Sequence, residues 1–137
     1  MLECFYPDEY LDSAYVIDFQ ALYDKGYRGV LFDVDNTLVP HGAPADRRAL
    51  ALFADLRDIG MKYCLISNNQ RPRVQPFAEA AEAVFVENAH KPSPAGYRKG
   101  MELLGCTPKN CLFVGDQLFT DVWGAKKAGM HTILVKP

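Results

Sequence analysis

The chain has 137 residues, 49% of them hydrophobic and 23% charged, which is room for one domain with a proper core and too little for two. A formal charge of −2 supplies no long-range attraction to nucleic acid or anionic lipid, so no nucleic-acid partner is expected. No stretch approaches the roughly 20 apolar residues that span a bilayer, so no transmembrane segment is expected either.

In chain order, Met1-Leu2-Glu3-Cys4 has neither a basic n-region nor a long apolar h-region, and no secretory signal is read there. The four cysteines, Cys4, Cys64, Cys106 and Cys111, show no C-x-x-C pair and no histidine at metal-ligand spacing. Reduced thiols suit a cytoplasmic protein. Residues 1–28 form a leader, and Asp12 to Lys25 reads as a helix that packs Tyr15, Phe19, Leu22 and Tyr23 on the core. Gly29-Val30-Leu31-Phe32 is a buried strand. Pro44 to Ile59 has helical spacing of Ala49, Leu52, Phe53, Leu56 and Ile59, with Gly60 closing it.

Met61 to Ile66 is a second strand, Arg73 to Ala81 a short helix and Ala83 to Val86 a third strand. Pro94 opens a helix that Gly105 ends. Asn110 to Val114 is a fourth strand, Thr120 to Ala128 a helix stopped by Gly129, and His131 to Val135 a fifth strand. Helices between buried strands imply an α/β fold with right-handed crossovers and a parallel sheet covered on both faces. The basic clusters Arg71-Pro72-Arg73 and Lys126-Lys127 read as solvated helix faces.

The strands end in polar clusters. The first gives Asp33-Val34-Asp35-Asn36-Thr37, the second Ser67-Asn68-Asn69-Gln70, the third Glu87-Asn88-Ala89-His90-Lys91-Pro92, and the fourth Gly115-Asp116-Gln117 followed by Asp121. In an open parallel sheet, ligands bind outside the carboxyl ends of the strands. The combined inventory fits a phosphate with a divalent cation. Asp33 and Asp116 are hard oxygen ligands suited to Mg²⁺, Lys91 is a point charge for phosphoryl oxygens, and Ser67 and Asn68 are neutral donors. Taken singly, Ser67 reads more readily as a turn residue, Lys91 as a loop lysine and Asp121 as a helix-start acid, and it is their arrival in order at successive strand ends that points to a site.

These motifs, in this order, resemble those of the haloacid dehalogenase-like (HAD) superfamily. Asp33 to Thr37 is similar to its D-x-D-x-T motif, Ser67 to the second, Lys91 to the third, and Gly115 to Asp121 to the G-D-x-x-x-x-D form of the fourth. The fuller strings D-V-D-N-T-L, I-S-N-N, H-K-P and G-D-Q-L-F-T-D-V resemble the YqeG-like group of subfamily IIIA. The resemblance implies a three-layer α/β/α Rossmann-like fold, with a five-stranded parallel sheet in the order 5-4-1-2-3, an extra N-terminal helix and a single domain over 1–137. Short loops stand where family members insert caps, so the chain reads as capless.

The resemblance also implies a chemistry. Asp33 would be the nucleophile and Asp35 the general acid and base. Mg²⁺ would be held by Asp33, by the backbone carbonyl of Asp35 and by Asp116, with Asp121 supporting it directly or through water. Ser67 and Lys91 would hold the transferring phosphoryl group. The expected function is a Mg²⁺-dependent phosphatase acting on a phosphorylated small molecule or lipid headgroup. The mitochondrial phosphatidylglycerophosphate phosphatases are the relatives with a named substrate class. The zinc loop of the histidinol- and heptose-phosphate phosphatases is missing, which argues against their substrates. His41 follows the first motif and reads as a solvent-exposed histidine, with contact to a leaving group as the alternative. Two alternatives stand beside this reading, a receiver-like phosphoacceptor module and an inactive scaffold homologue. The oligomeric state is open, a homodimer included.

Overall fold

Successive side chains of a strand point to opposite faces, and where both sets are apolar the strand must be covered twice. The computed structural model, which describes residues 6–137, is built on that requirement. Cys4 and the stretch read for a signal lie outside the described residues. The elements run β1 (Glu9–Leu11), α1 (Phe19–Asp24), β2 (Gly29–Phe32), α2 (Arg47–Ile59), β3 (Lys62–Ile66), α3 (Arg71–Ala81) and β4 (Val84–Val86). They continue through α4 (Pro94–Leu104), β5 (Cys111–Gly115), α5 (Trp123–Lys127) and β6 (His131–Val135).

Val30 and Phe32 of β2 enter one core, and Leu31 enters the other. In β5, Leu112 and Val114 oppose Cys111 and Phe113 in the same way. Helices α1, α2 and α3 close the first core with Phe19, Leu22, Phe53, Leu56 and Phe77. Helices α4 and α5 close the second with Tyr97, Met101, Leu104 and Ala125. Each large apolar side chain so buried contributes about 2 kcal/mol. Asp46 starts α2 by accepting from the Ala49 N–H at 2.8 Å, and Gly60, at φ 94°, stops it.

The sheet is wholly parallel, in the order β1-β6-β5-β2-β3-β4. This corrects the expected count of five and extends the order, because a sixth strand forms the edge beyond β6, while the five expected strands follow one another as β6-β5-β2-β3-β4. Glu9, Tyr10 and Leu11 pair with Ile133, Leu134 and Val135. Asp8 fastens this edge, its carboxylate accepting from the Thr132 N–H at 2.8 Å and from Lys126 Nζ at 2.9 Å. A three-residue strand with a charged and an exposed residue carries no apolar run, so periodicity misses it.

The leader helix is also corrected. A 3₁₀ turn over Ala14–Val16 is separated from α1, because Ser13 and Asp18 each cap a new start. Helix α3 begins at Arg71, two residues earlier than expected, with Pro72 in its first turn. The predicted helix from Thr120 instead opens as a π turn over Leu118–Val122 and continues as α5. Among the described residues no helix is long and apolar enough to cross a membrane.

Strand β2 lies between β3 and β5. The chain builds outward from β2 on one side through β4 and then on the other through β6, so strand order reverses beside β2. Loops leaving β2 and β5 in opposite directions open a crevice at their carboxyl ends.

Candidate active site

The ladder between β2 and β5 extends one bond past β2, from the Asp33 N–H to the Val114 carbonyl at 2.9 Å. The chain then turns sharply. Asn36 sits at φ 62°, a left-handed conformation that asparagine tolerates, and the N–H groups of Thr37 and Leu38 return to the Val34 carbonyl. Asp33 and Asp35 are thereby left at the sheet edge. The loop after β4 holds Asn88 at φ 48° and His90 at φ 55°. It is docked where the Lys91 N–H donates to Asn68 Oδ1 at 2.7 Å.

After β5, the π turn brings Asp121 back over Gly115. An ideal Cβ on Gly115 would stand 2.5 Å from Asp121 Oδ2, so only glycine admits this approach. Asp121 Oδ2 also accepts from the Gln117 N–H at 3.0 Å. Tyr97, fully buried, donates its hydroxyl to the Thr120 carbonyl at 2.7 Å and holds the turn from below. Wide turns of this kind recur where a helix must present a functional side chain.

The charged centre follows from these placements. Lys91 Nζ donates to Asp33 Oδ1 at 2.9 Å and to Asp121 Oδ1 at 2.8 Å, with 5% of the lysine side chain and 1% of the Asp121 side chain exposed. Thr37 Oγ1 lies 3.2 Å from Asp33 Oδ2 and 3.3 Å from Asp116 Oδ1, its single proton serving one carboxylate at a time. Asp33, Asp116 and Asp121 each offer one ligand oxygen, all within 4.8 Å of one another. Three carboxylates then face one ammonium. Burial, the hydrogen bond to Asp33 and the charges of Asp33 and Asp121 push the Asp116 carboxyl up to about 7. Burial and the Asp33 charge raise Asp121 as well, against the pull of Lys91. The same two partners push Lys91 up despite its own burial.

Asp35 stands apart from that cluster. Its carboxylate accepts from the Gly42 N–H at 2.7 Å, from Arg73 at 2.8 Å and from Asn69 Nδ2 at 2.8 Å. Burial works to raise its pKa, but Arg73 and the Gly42 N–H outweigh that and leave it below the usual carboxylate range.

A cavity of about 160 Å³ is lined by Asp33, Asp35, Asn36, His41, Ser67, Asn68, Asn69, Lys91, Gln117 and Thr120. All the sequence-selected residues except Asp116 and Asp121 line it, and those two lie behind it, within 4.8 Å of Asp33, Asp121 paired with Lys91. His41 is solvent-exposed, as expected, and also lines the cavity. A larger hollow of about 560 Å³ shares Asn36 with it and is lined by Asp12, Tyr15, Arg48 and Lys136 among others. None of Asp33, Asp35, Asp116 and Asp121 lines it. We place the chemistry in the smaller cavity, because the ionisable groups converge there.

Sequence reasoning overlooked Arg73, Asn69 and the bridging position of Thr37. The reading of the basic clusters as solvated faces holds for Arg71 and Lys127, which are exposed, and is corrected for Arg73 and Lys126, which are partly buried. Arg73 pairs with Asp35, Arg71 with Glu87 and Lys126 with Asp8, and Lys127 Nζ lies 3.8 Å from the Trp123 ring centre. Arg73 did carry a signal, since it falls in the first turn of the helix leaving the Ser67 cluster, on the side of the site.

An open parallel sheet with a lysine-bridged carboxylate cluster at its switch point is suited to handling a phosphoryl group. The chain belongs to the haloacid dehalogenase-like hydrolase family, whose pattern its residues 45–129 match. It is 34% identical over 134 residues to the Bacillus subtilis (strain 168) protein named "Probable phosphatase YqeG", covering 97% of this chain and 78% of that one. It is 30% identical over 131 residues to the chloroplastic/mitochondrial phosphatidylglycerophosphate phosphatase 1 of Arabidopsis thaliana, covering 88% of this chain but only 38% of that protein. The cobalt-bound deoxy-D-mannose-octulosonate 8-phosphate phosphatase of Haemophilus influenzae shares the fold, with a TM-score of 0.64 at 16% identity over 80% of this chain and 68% of that chain.

Proposed function

We propose that this phosphatase works by two displacements at phosphorus, with Asp33 as the nucleophile. The observation that carries the reading is the pairing of Asp33 with Lys91 at 2.9 Å inside a cavity also lined by Ser67 and Asn68. A carboxylate oxygen is thus beside the cation and neutral donors that a phosphoryl group needs. Asp33 attacks phosphorus while Asp35, whose proton affinity the bound anionic ester raises against the pull of Arg73, gives its proton to the leaving oxygen. A water then attacks the aspartyl phosphate, loses its proton to Asp35, and Asp33 is regenerated.

The donors fit a divalent cation. Three hard oxygen ligands lie within reach of one another, and once all three are ionised their charge exceeds that of Lys91 by two. Mg²⁺ suits this set: Asp33, Asp116 and the Asp35 backbone carbonyl would hold it, with Asp121 supporting it directly or through water. When bound, it would reduce the repulsion between an anionic nucleophile and an anionic ester. The short loops around the cavity leave room for a large leaving group. With the relatives named for phosphatidylglycerophosphate, this supports a lipid-headgroup or comparably large phosphate ester.

The test is hydrolysis of 4-nitrophenyl phosphate and of phosphatidylglycerophosphate, each with and without Mg²⁺, by the native protein and by Asp33→Asn. The variant should lose about a thousandfold in kcat. Undiminished turnover would remove Asp33 as nucleophile. A long-lived phosphoprotein without turnover would favour the receiver-like alternative.

A further inference from the structure

A carboxylate has about four lone-pair sites for hydrogen bonds, and the surroundings of Asp35 fill three of them. Oδ1 accepts twice, from the Gly42 N–H at 2.7 Å and from Arg73 Nη2 at 2.8 Å. Oδ2 accepts once, from Asn69 Nδ2 at 2.8 Å. The donors come from three segments: the loop after β2, the turn after β3 and the first turn of α3. Asp35 lines the reaction cavity and Arg73 does not, so the guanidinium reaches the acid from behind.

Arg73 is itself constrained. Its side chain is 22% exposed, its guanidinium carbon lies 5.8 Å from the Phe77 ring centre, and its Nε is buried without a hydrogen-bond partner. A surface ion pair formed only for solubility would not bury a donor unmatched, since that costs stability.

We infer that Arg73 is the positioning residue of the general acid, and that Oδ2 is the oxygen through which Asp35 exchanges its proton. The inference rests on the acid–base role proposed above for Asp35. With both accepting sites of Oδ1 taken, the carboxyl cannot rotate without breaking two hydrogen bonds. The open site on Oδ2 therefore keeps one direction toward the cavity. In the first step the proton leaves Oδ2 for the leaving oxygen as its bond to phosphorus breaks. In the second it returns to Oδ2 from water. Arg73 touches neither substrate nor phosphorus and acts by holding the carboxyl plane.

The experiment measures kcat/KM over a series of aryl phosphates from 4-nitrophenyl to 4-methoxyphenyl, whose leaving groups need increasing help from an acid. The proteins are the native chain, Arg73→Met, Arg73→Lys, Asp35→Asn and the double variant of Arg73→Met with Asp35→Asn. Thermal melts establish that each is folded, and Arg73→Gln replaces Arg73→Met if that variant is not. Arg73→Met should lose about tenfold on the 4-methoxyphenyl ester and much less on the 4-nitrophenyl ester. Arg73→Lys should recover part of the loss, and Arg73→Met should have no further effect once Asp35 is Asn. A uniform loss across the series, or the same loss in both backgrounds, overturns the positioning role and leaves the acid standing. An unchanged leaving-group dependence in Asp35→Asn overturns the acid itself, and the Arg73 role with it.

Discussion

Lys91 and Asp121 meet at 2.8 Å where the site is least exposed. They come from different loops, thirty residues apart in sequence, and each is sealed by packing that has nothing to do with charge. Tyr97 and Gly115 close around the acid, and the Asn68 side chain fixes the backbone of the lysine. The ammonium also reaches Asp33, so one cation ties the carboxyl end of β2 to the turn after β5.

Removing that cation strands a buried carboxylate. Lys91→Met should destabilise the protein by about 3–5 kcal/mol, the cost of breaking a buried pair from one side. Added Mg²⁺ should recover part of it by replacing the lost positive charge. Urea unfolding with and without Mg²⁺ measures both effects. A midpoint equal to that of the native chain would mean the pair contributes nothing to the fold.

Without metal, acidity favours the folded state through Asp116, the reverse of the usual carboxylate behaviour. Burial and its neighbours keep Asp116 protonated up to about 7, whereas the ordinary value is 3.8. Between those values the folded chain binds more protons than the unfolded one, so metal-free stability should fall as pH rises through the window. A divalent cation must displace the proton from Asp116, so its binding should release protons and tighten with pH. Melting curves at about pH 5 and about pH 7.5, with and without Mg²⁺, should show the larger metal-induced rise at the higher pH. The same rise at both values would contradict proton displacement.

Gly115→Ala adds a single methyl group where Asp121 Oδ2 and the Phe113 ring stand 2.5 and 2.7 Å from the new carbon. Either the carboxylate or the ring must move. The expected cost is about 1–3 kcal/mol of stability, together with a loss of phosphatase activity beyond what the stability change explains. Gly42→Ala is a poor control because Gly42 is at φ 78°. Activity per folded molecule, assayed well below the melting temperature, is the quantity to follow. Full activity would mean that Asp121 tolerates displacement.

Much of the site was legible because its chemistry is carried by residues that directly end strands. Asp33, Ser67 and Asp116 each fall within one residue of a strand terminus, and a parallel sheet places such termini along one edge. Arg73 was not legible in that way. A guanidinium in the sequence R-P-R looks the same whether it is solvated or turned inward, and only the path of α3 brings it to Asp35. Asn69 was hidden for a similar reason, inside a polar turn whose members sequence alone does not rank. Strand β1 escaped because edge pairing is secured by backbone groups and by Asp8, with no hydrophobic alternation to reveal it.

The local sequence determined the alternation of buried strands and amphipathic helices, the helix stops at Gly60, Gly105 and Gly129, and the set of acids available for catalysis. Those properties depend on periodicity, backbone freedom and side-chain chemistry, all of which act over a few residues. The tertiary structure decided how the acids divide. Asp33, Asp116 and Asp121 crowd around Lys91, while Asp35, two residues from Asp33, is drawn away by Arg73, Asn69 and the Gly42 N–H. That division depends on charges and hydrogen-bond donors brought together from distant loops, and their interaction is set by distance in space.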